Sequence, residues 1–319
     1  LAGSLRAAAL AAEPHRAEKA RRIGYLSPTV PSALESGWLQ GCRVALSKRG
    51  YSENAVALEE RYAQDRLERL PALATELVSL GPDLCLTFAT QATLAAKAAT
   101  GTIPIVMIAV GDPVGVGIVK SLNRPEANIT GLALSNVDTA GKRLEFLKQA
   151  VPGLSRVAVL ANLRNRAFTA LHLAQTQKVA DRLGIALERP PDARPERLAD
   201  TFAAMARQRV NGLIVLPDPS FLTHRERIAQ LALQHRLPSA APASPFVDAG
   251  CLLAYGPDIG KVYRQAARFV DKILTGARPA DLPVEQPTEF ELAINLTTAR
   301  ALGLTIHPSL LVRADQVIE

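Results

Sequence analysis

Short, almost continuously apolar runs alternate along this chain with helix-forming stretches, and the alternation repeats from Ile23 to beyond Tyr255. Leu84-Cys85-Leu86-Thr87-Phe88 is one such run. It passes through Ala89-Thr90-Gln91 into an Ala-rich stretch over 92–99, a strong helix former. Residues 103–110 repeat the apolar pattern and give way to the turn Gly111-Asp112-Pro113-Val114-Gly115. Strands apolar on both sides suit a parallel sheet covered on both faces.

The same rhythm predicts strands over 22–26, 55–62, 84–88, 103–110 and 128–134, with helices over 34–49, 66–80, 92–99 and 116–122 between them. A helix over 138–151 opens a second series. Its strands are predicted at 156–160, 185–189, 212–216 and 237–241, and its helices at 168–183, 195–209 and 223–235. A strand over 251–255, a helix over 258–274, extended pieces at 282–286 and 289–295 and a short helix over 296–302 complete the chain. The alternation implies an α/β protein of two similar doubly wound parallel-sheet lobes. Residues 22–134 plus about 258–280 form the first lobe, and 135–257 plus about 281–319 the second. A hinge follows where the chain passes between them, near Ser135-Asn136, Gly256-Pro257 and Arg278-Pro283.

In open α/β sheets, ligands sit beyond the carboxyl ends of strands, where loops meet helix N-termini. Thr90 and Asp112 occupy two such ends, separated by one helix. Thr90 can cap its helix and leave backbone N–H groups from Gln91 onward for a carboxylate or another small anion. Asp112 has the opposite preference, since a carboxylate accepts from an ammonium or an amide. A zwitterion satisfies both. Each residue also has a plainer reading, Thr90 as a helix cap alone and Asp112-Pro113 as a common turn dipeptide.

Composition narrows the classes. A hydrophobic fraction of 48% with 4% aromatics fits an Ala/Leu/Val-rich α/β protein, and 319 residues are enough for two lobes. The net charge of +7 is spread along the chain, densest at Arg16-Ala17-Glu18-Lys19-Ala20-Arg21-Arg22, so surface charge explains it better than a nucleic-acid stripe. Cys42, Cys85 and Cys251 lie in apolar or helical contexts without metal-ligand spacing, which implies free thiols and no cofactor. Gly111, Gly115 and Gly117 do not form a dinucleotide fingerprint. None of His15, His172, His224, His235 and His307 stands with a nucleophile on a strand-to-helix turn, so no catalysis is expected. Residues 1–13 read as the back half of a secretory signal peptide, with Ala9 and Ala11 as small cleavage-site residues, and 1–21 as signal remnant and linker. An Ala-rich tail is the alternative.

Several stretches, in order, resemble the substrate-binding family of ABC transporters that includes tryptophan- and tyrosine-type binding proteins. They are Arg22-Ile23-Gly24-Tyr25-Leu26-Ser27, Ile103-Pro104-Ile105-Val106 with Gly111-Asp112-Pro113-Val114-Gly115, Asn128-Ile129-Thr130-Gly131-Leu132, Gly141-Lys142-Arg143-Leu144-Glu145, Leu216-Pro217-Asp218-Pro219 and Asp281-Leu282-Pro283-Val284-Glu285-Gln286-Pro287. The resemblance implies a type I periplasmic binding protein, monomeric and non-catalytic. Such a protein closes on a small polar molecule, an amino acid or related carboxylate, and delivers it to a membrane permease. It also implies ligand contacts from strand ends, here Ser27, Thr87, Thr90, Gln91, Asp112, Asn162, Asp218 and Tyr255, with Pro242, Ala243 and Asp258 at the margin. A periplasmic location goes with this reading, and no lipobox cysteine is seen to support a lipid tether. The effector-sensing core of a transcriptional regulator, which shares the fold, is the alternative. The turn Ala89-Thr90-Gln91 departs from the family in lacking glycines.

Overall fold

The first series of apolar runs folds into a five-stranded parallel sheet. The computed structural model describes residues 20–52, 55–134, 138–163, 166–189 and 193–319. The first elements are β1 (Arg21–Ser27), α1 (Ala33–Ser47), β2 (Val56–Tyr62), α2 (Leu70–Ser79), β3 (Leu84–Phe88), α3 (Ala89–Ala99), β4 (Ile105–Val110) and β5 (Ile129–Ala133), with strands in the order β2-β1-β3-β4-β5. β3 and β4 are buried at every residue, as continuous apolar strands between two helical layers must be.

The second lobe starts at α4 (Asp138–Ala150) and continues through β6 (Arg156–Leu160), α5 (Arg166–Leu183), β7 (Ala186–Glu188), α6 (Leu198–Arg207) and β8 (Gly212–Val215). Next come α7 (Pro219–Thr223), α8 (Arg225–Gln234), β9 (Ser239–Ala241), α9 (Pro245–Asp248) and β10 (Leu253–Gly256). The chain then sends α10 (Ile259–Leu274) back to the first sheet and ends in β11 (Glu291–Asn295), α11 (Leu296–Ala301), α12 (Pro308–Leu311) and β12 (Gln316–Ile318). The second sheet runs β12-β11-β10-β9-β8-β6-β7, and β11 alone pairs antiparallel, against β10. The first five strands of each lobe thus share one doubly wound order. Each sheet has a switch point, between β1 and β3 in one lobe and between β6 and β8 in the other, and a crevice opens beyond the strand ends there.

α10 joins the lobes in packing as well as in sequence. Val262, Tyr263, Ala266, Phe269, Val270 and Ile273 fall on one helical face and pack with Leu39, Cys42 and Leu46 of α1 and with the first sheet. The chain stays on that lobe after α10. Leu282 and Val284 lie in its cores, Thr130 Oγ1 donates to the Leu282 carbonyl at 2.7 Å, and Glu285 bridges Leu132. The passage back to the second lobe therefore falls between Glu285 and Glu291, later than the expected 278–283, because Pro279–Asp281 forms a 3-10 turn packed under β5. The expected passage at Ser135-Asn136 and the signal-peptide reading of 1–13 lie outside the described residues.

Several expected elements differ. Residues 116–122 form turns and bends instead of a helix, with Gly117 at φ +71°. The helix expected over 223–235 is α8, and an additional short helix, α7, capped by Asp218 with Pro219 in its first turn, precedes it. The extended piece expected at 282–286 contributes a single bridge, Glu285 to Leu132. α9, α12 and β12, each four residues or fewer, are additional.

Candidate functional site

The two switch points face one another across a cleft with two connected chambers. The outer chamber, about 590 Å³, has Pro28, Asp65 and Arg66 on the first lobe and Asn162, Ser220 and His224 on the second. The inner chamber, about 90 Å³, lies toward the hinge residues Leu134 and Pro257 and has a mainly apolar wall that includes Phe88, Leu222 and Phe246. Gln91, Asp218 and Pro219 line both chambers. The lobes touch at the outer rim, where Asp65 accepts from Thr223 Oγ1 at 3.5 Å and its other carboxylate oxygen lies 3.5 Å from His224 Nε2.

Asp218 lies three residues past the end of β8, and its side chain caps α7. Oδ1 accepts from the Ser220 amide at 2.9 Å and from the Ser220 hydroxyl, and Oδ2 accepts from Asn162 Nδ2 at 3.0 Å. That last bond spans the second lobe's switch point, from the end of β6 to the end of β8. Burial pushes the Asp218 carboxyl above the usual aspartate range, against the opposing pull of the Ser220 and Asn162 bonds. Asp65 across the cleft adds to the upward shift.

Deeper in the inner chamber stands Arg143, from the face of α4 that also carries Thr139, Ala140, Leu144 and Leu147. It is 1% exposed. Nη1 donates to Thr139 Oγ1 at 3.3 Å and to the Tyr255 carbonyl at 3.2 Å, while Nε and Nη2 have no partner. Burial pushes its pKa down to about 9, so the guanidinium remains charged at neutral pH. His172, on the same wall, is pushed down to about 3, chiefly by burial and further by the Arg143 charge, and is neutral. Across the chamber, Gln91 Oε1 is buried without a donor.

The backbone around the inner chamber is strained. Ala89 and Ala109, both on its wall, have φ of +66° and +57°, a region costly for any residue with a Cβ. The register between β4 and β5 shifts between Met107 and Val110, the stretch that carries Ala109 on the chamber wall. Ala109→Gly is expected to raise the unfolding free energy by about 0.5–1 kcal/mol, the relief of left-handed strain less the entropy of glycine. Urea titration checks it, and a lower midpoint would contradict the strain.

Of the residues expected at the site, Thr90, Gln91, Asn162 and Asp218 line the cleft, as do Pro242 and Ala243. Thr90 is not the helix cap. It sits in the first turn of α3, whose N-cap is Phe88, and its Oγ1 accepts from the Gly111 amide at 3.3 Å. The other expected residues lie off both chambers. Ser27 bonds Thr29 Oγ1 at 2.8 Å within a buried network that runs through Glu35 to Tyr25 and Tyr263. Thr87 bonds Thr93 at 2.8 Å behind the sheet end. Asp112 closes its own turn, accepting from the Gly115 amide at 2.9 Å. Tyr255 contributes its carbonyl to Arg143, while its ring packs on Phe146 at 5.0 Å and Phe290 at 5.9 Å. Asp258 caps α10. Arg143 is not among the strand-end residues expected, and its signal in the sequence is a single charged residue on a helical face shared with Thr139, Ala140, Leu144 and Leu147.

The family model for ABC transporter substrate binding proteins matches residues 32–318. The chain belongs to that family. It is 26% identical over 288 residues to a tyrosine-binding protein of Clostridioides difficile, covering 90% of this chain and 82% of that one. A solved structure from Streptococcus pneumonia, an ABC domain in complex with L-Trp, superposes with a TM-score of 0.87 at 25% identity and covers 94% of this chain and 100% of that one. A conserved domain protein from Vibrio cholerae gives a TM-score of 0.85 at 28% identity, with coverage of 94% and 100%. Members of the family bind a small molecule and interact with an ABC permease. Among the described residues no helix is long and apolar enough to cross a membrane, and no group of three His, Cys, Asp or Glu could hold a metal ion.

Proposed function

We propose that this protein is the monomeric, periplasmic solute-binding component of an ABC importer, and that it closes its lobes on an amino acid, with aromatic amino acids the best candidates. The observation that carries this reading is the position of Asp218. A carboxylate from the second lobe stands where an apolar chamber meets a polar one, opposite the unsatisfied Gln91 Oε1 of the first lobe. Two acceptors of this kind suit a ligand ammonium, and the apolar wall suits a hydrocarbon side chain. A ligand that touches both lobes favours the closed form by its differential affinity for it. The likeness to a tyrosine-binding protein and to a structure holding L-Trp points to the same ligand class. The hinge then includes the passages at Gly256-Pro257 and between Glu285 and Glu291.

Thermal-shift screening of the purified chain against amino acids, aromatic acids, purines, short peptides and sugars tests the reading. L-tyrosine or L-tryptophan at 100 times its dissociation constant is expected to add about 2.7 kcal/mol of stability. A response to sugars alone, or to none of the amino acids, would overturn it.

A further inference from the structure

Arg143 carries a charge that the fold itself does not use. Its guanidinium is buried, burial is the one influence on its proton affinity, and among the described side chains no carboxylate compensates it. A buried cation without a partner lowers stability, and an apolar residue of similar size would do better if packing were its only task. Thr139 and the Tyr255 carbonyl hold Nη1 and so fix the plane of the group. The edge left open, Nε–H and Nη2–H, is the pair of parallel donors that matches both oxygens of a carboxylate. That edge belongs to a residue on the wall of the inner chamber.

We propose that the open edge of Arg143 receives the ligand carboxylate, which makes the cleft selective for free carboxylates over their amides. This inference rests on the solute-binding reading and adds a second anchor to it. Asp218 and Gln91 take the ammonium end, Arg143 takes the carboxylate, and the distinction between an amino acid and a simple amine lies with Arg143. The neutral His172 beside it adds no second cation, so one carboxylate balances the chamber. The unliganded protein carries the cost of the lone cation, and ligand removes it.

Isothermal titration of the full chain with L-tyrosine, L-tryptophan, their carboxamides and indole-3-propionate tests the assignment. The parent is expected to bind the amino acids on the order of 100-fold more tightly than the carboxamides. In Arg143→Met that preference is expected to shrink to a few-fold, with the melting point of the unliganded protein unchanged or higher. Arg143→Lys keeps the charge without the planar fork and should fall between. Equal binding of acid and amide by the parent, discrimination retained by Arg143→Met, or an Arg143→Met chain that fails to fold would each overturn the proposal. Binding of indole-3-propionate without binding of either amino acid would leave the Arg143 anchor standing and remove the amino-acid reading. Binding of none of the probes would remove both.

Discussion

Gly131→Ala is expected to abolish most of the folded population, with a loss of more than about 4 kcal/mol against a typical domain stability of about 5–15 kcal/mol. Gly131 lies within β5 at φ +132°, where a side chain is strained in any surroundings. A Cβ there would stand 2.2 Å from the Met107 carbonyl oxygen and 2.7 Å from the Met107 nitrogen. Both are backbone atoms of β4, which is paired to β3 on its other side, so the neighbour has no room to withdraw. The same stretch of β4 carries the register shift and Ala109 of the chamber wall, so any accommodation would deform the inner chamber. Gly37→Ala is the control. It sits on α1 with nothing within 4 Å of a built Cβ, and should stabilise by about 0.5–1 kcal/mol through helix propensity alone. Urea unfolding of both variants, read by circular dichroism, decides the matter, and near-equal midpoints would show that the strand contact is not rigid.

Asp218→Asn is expected to weaken binding of L-tyrosine and L-tryptophan by roughly 100-fold, the scale for removing one partner of a desolvated charge pair. Asparagine keeps the α7 cap, and with the Asn162 amide turned to accept from its NH2 the unliganded protein should lose little stability. The pH dependence has a definite sign. Burial raises the Asp218 carboxyl, so the folded state holds its proton more tightly than the unfolded chain does. Its contribution to unliganded stability is therefore greatest below the ordinary aspartate value and declines as pH rises through the raised folded value. Ligand affinity runs the other way, because an ammonium binds the carboxylate and not the acid. Affinity of the parent should fall on acidification at a pH above that of a free aspartate, and the Asp218→Asn profile should be flat across that window. A titration series over pH reads both. Parallel profiles would place the ammonium elsewhere.

The doubly wound order and the two lobes were legible because β3 and β4 are apolar on both faces and because the same strand-helix rhythm starts again after Ala150. Short elements were not. α7 exists because Asp218 caps it and Pro219 pre-sets its first turn, so its origin is chemical and it has no hydrophobic period to read. β12 has three residues and forms by pairing with β11, a tertiary cause with no local signature. At the cleft, Thr90 read as a cap because a helix directly after a strand needs a sharp turn, for which glycine is the usual sign. Ala89 takes that conformation itself, at φ +66°, and α3 begins two residues earlier than a cap at Thr90 would allow. Asp218 and Asn162 were legible from their places after strands, whereas Asp112 has an equivalent place and spends its carboxylate on its own turn. Arg143 was hidden by being helical, since strand-end reasoning does not search a helix face.

The late return of α10 bears on the order in which the molecule can assemble. The sheet of the first lobe is finished at Ala133, yet the apolar face it shares with α1 is only partly covered until Val262 to Ile273 arrive from beyond the second lobe in the sequence. Contacts so distant along the chain form slowly, and a chain emerging from its N-terminus must keep this half immature until most of the other half has been made. Truncation before residue 259 should accordingly yield an aggregating product, not an independent half-protein.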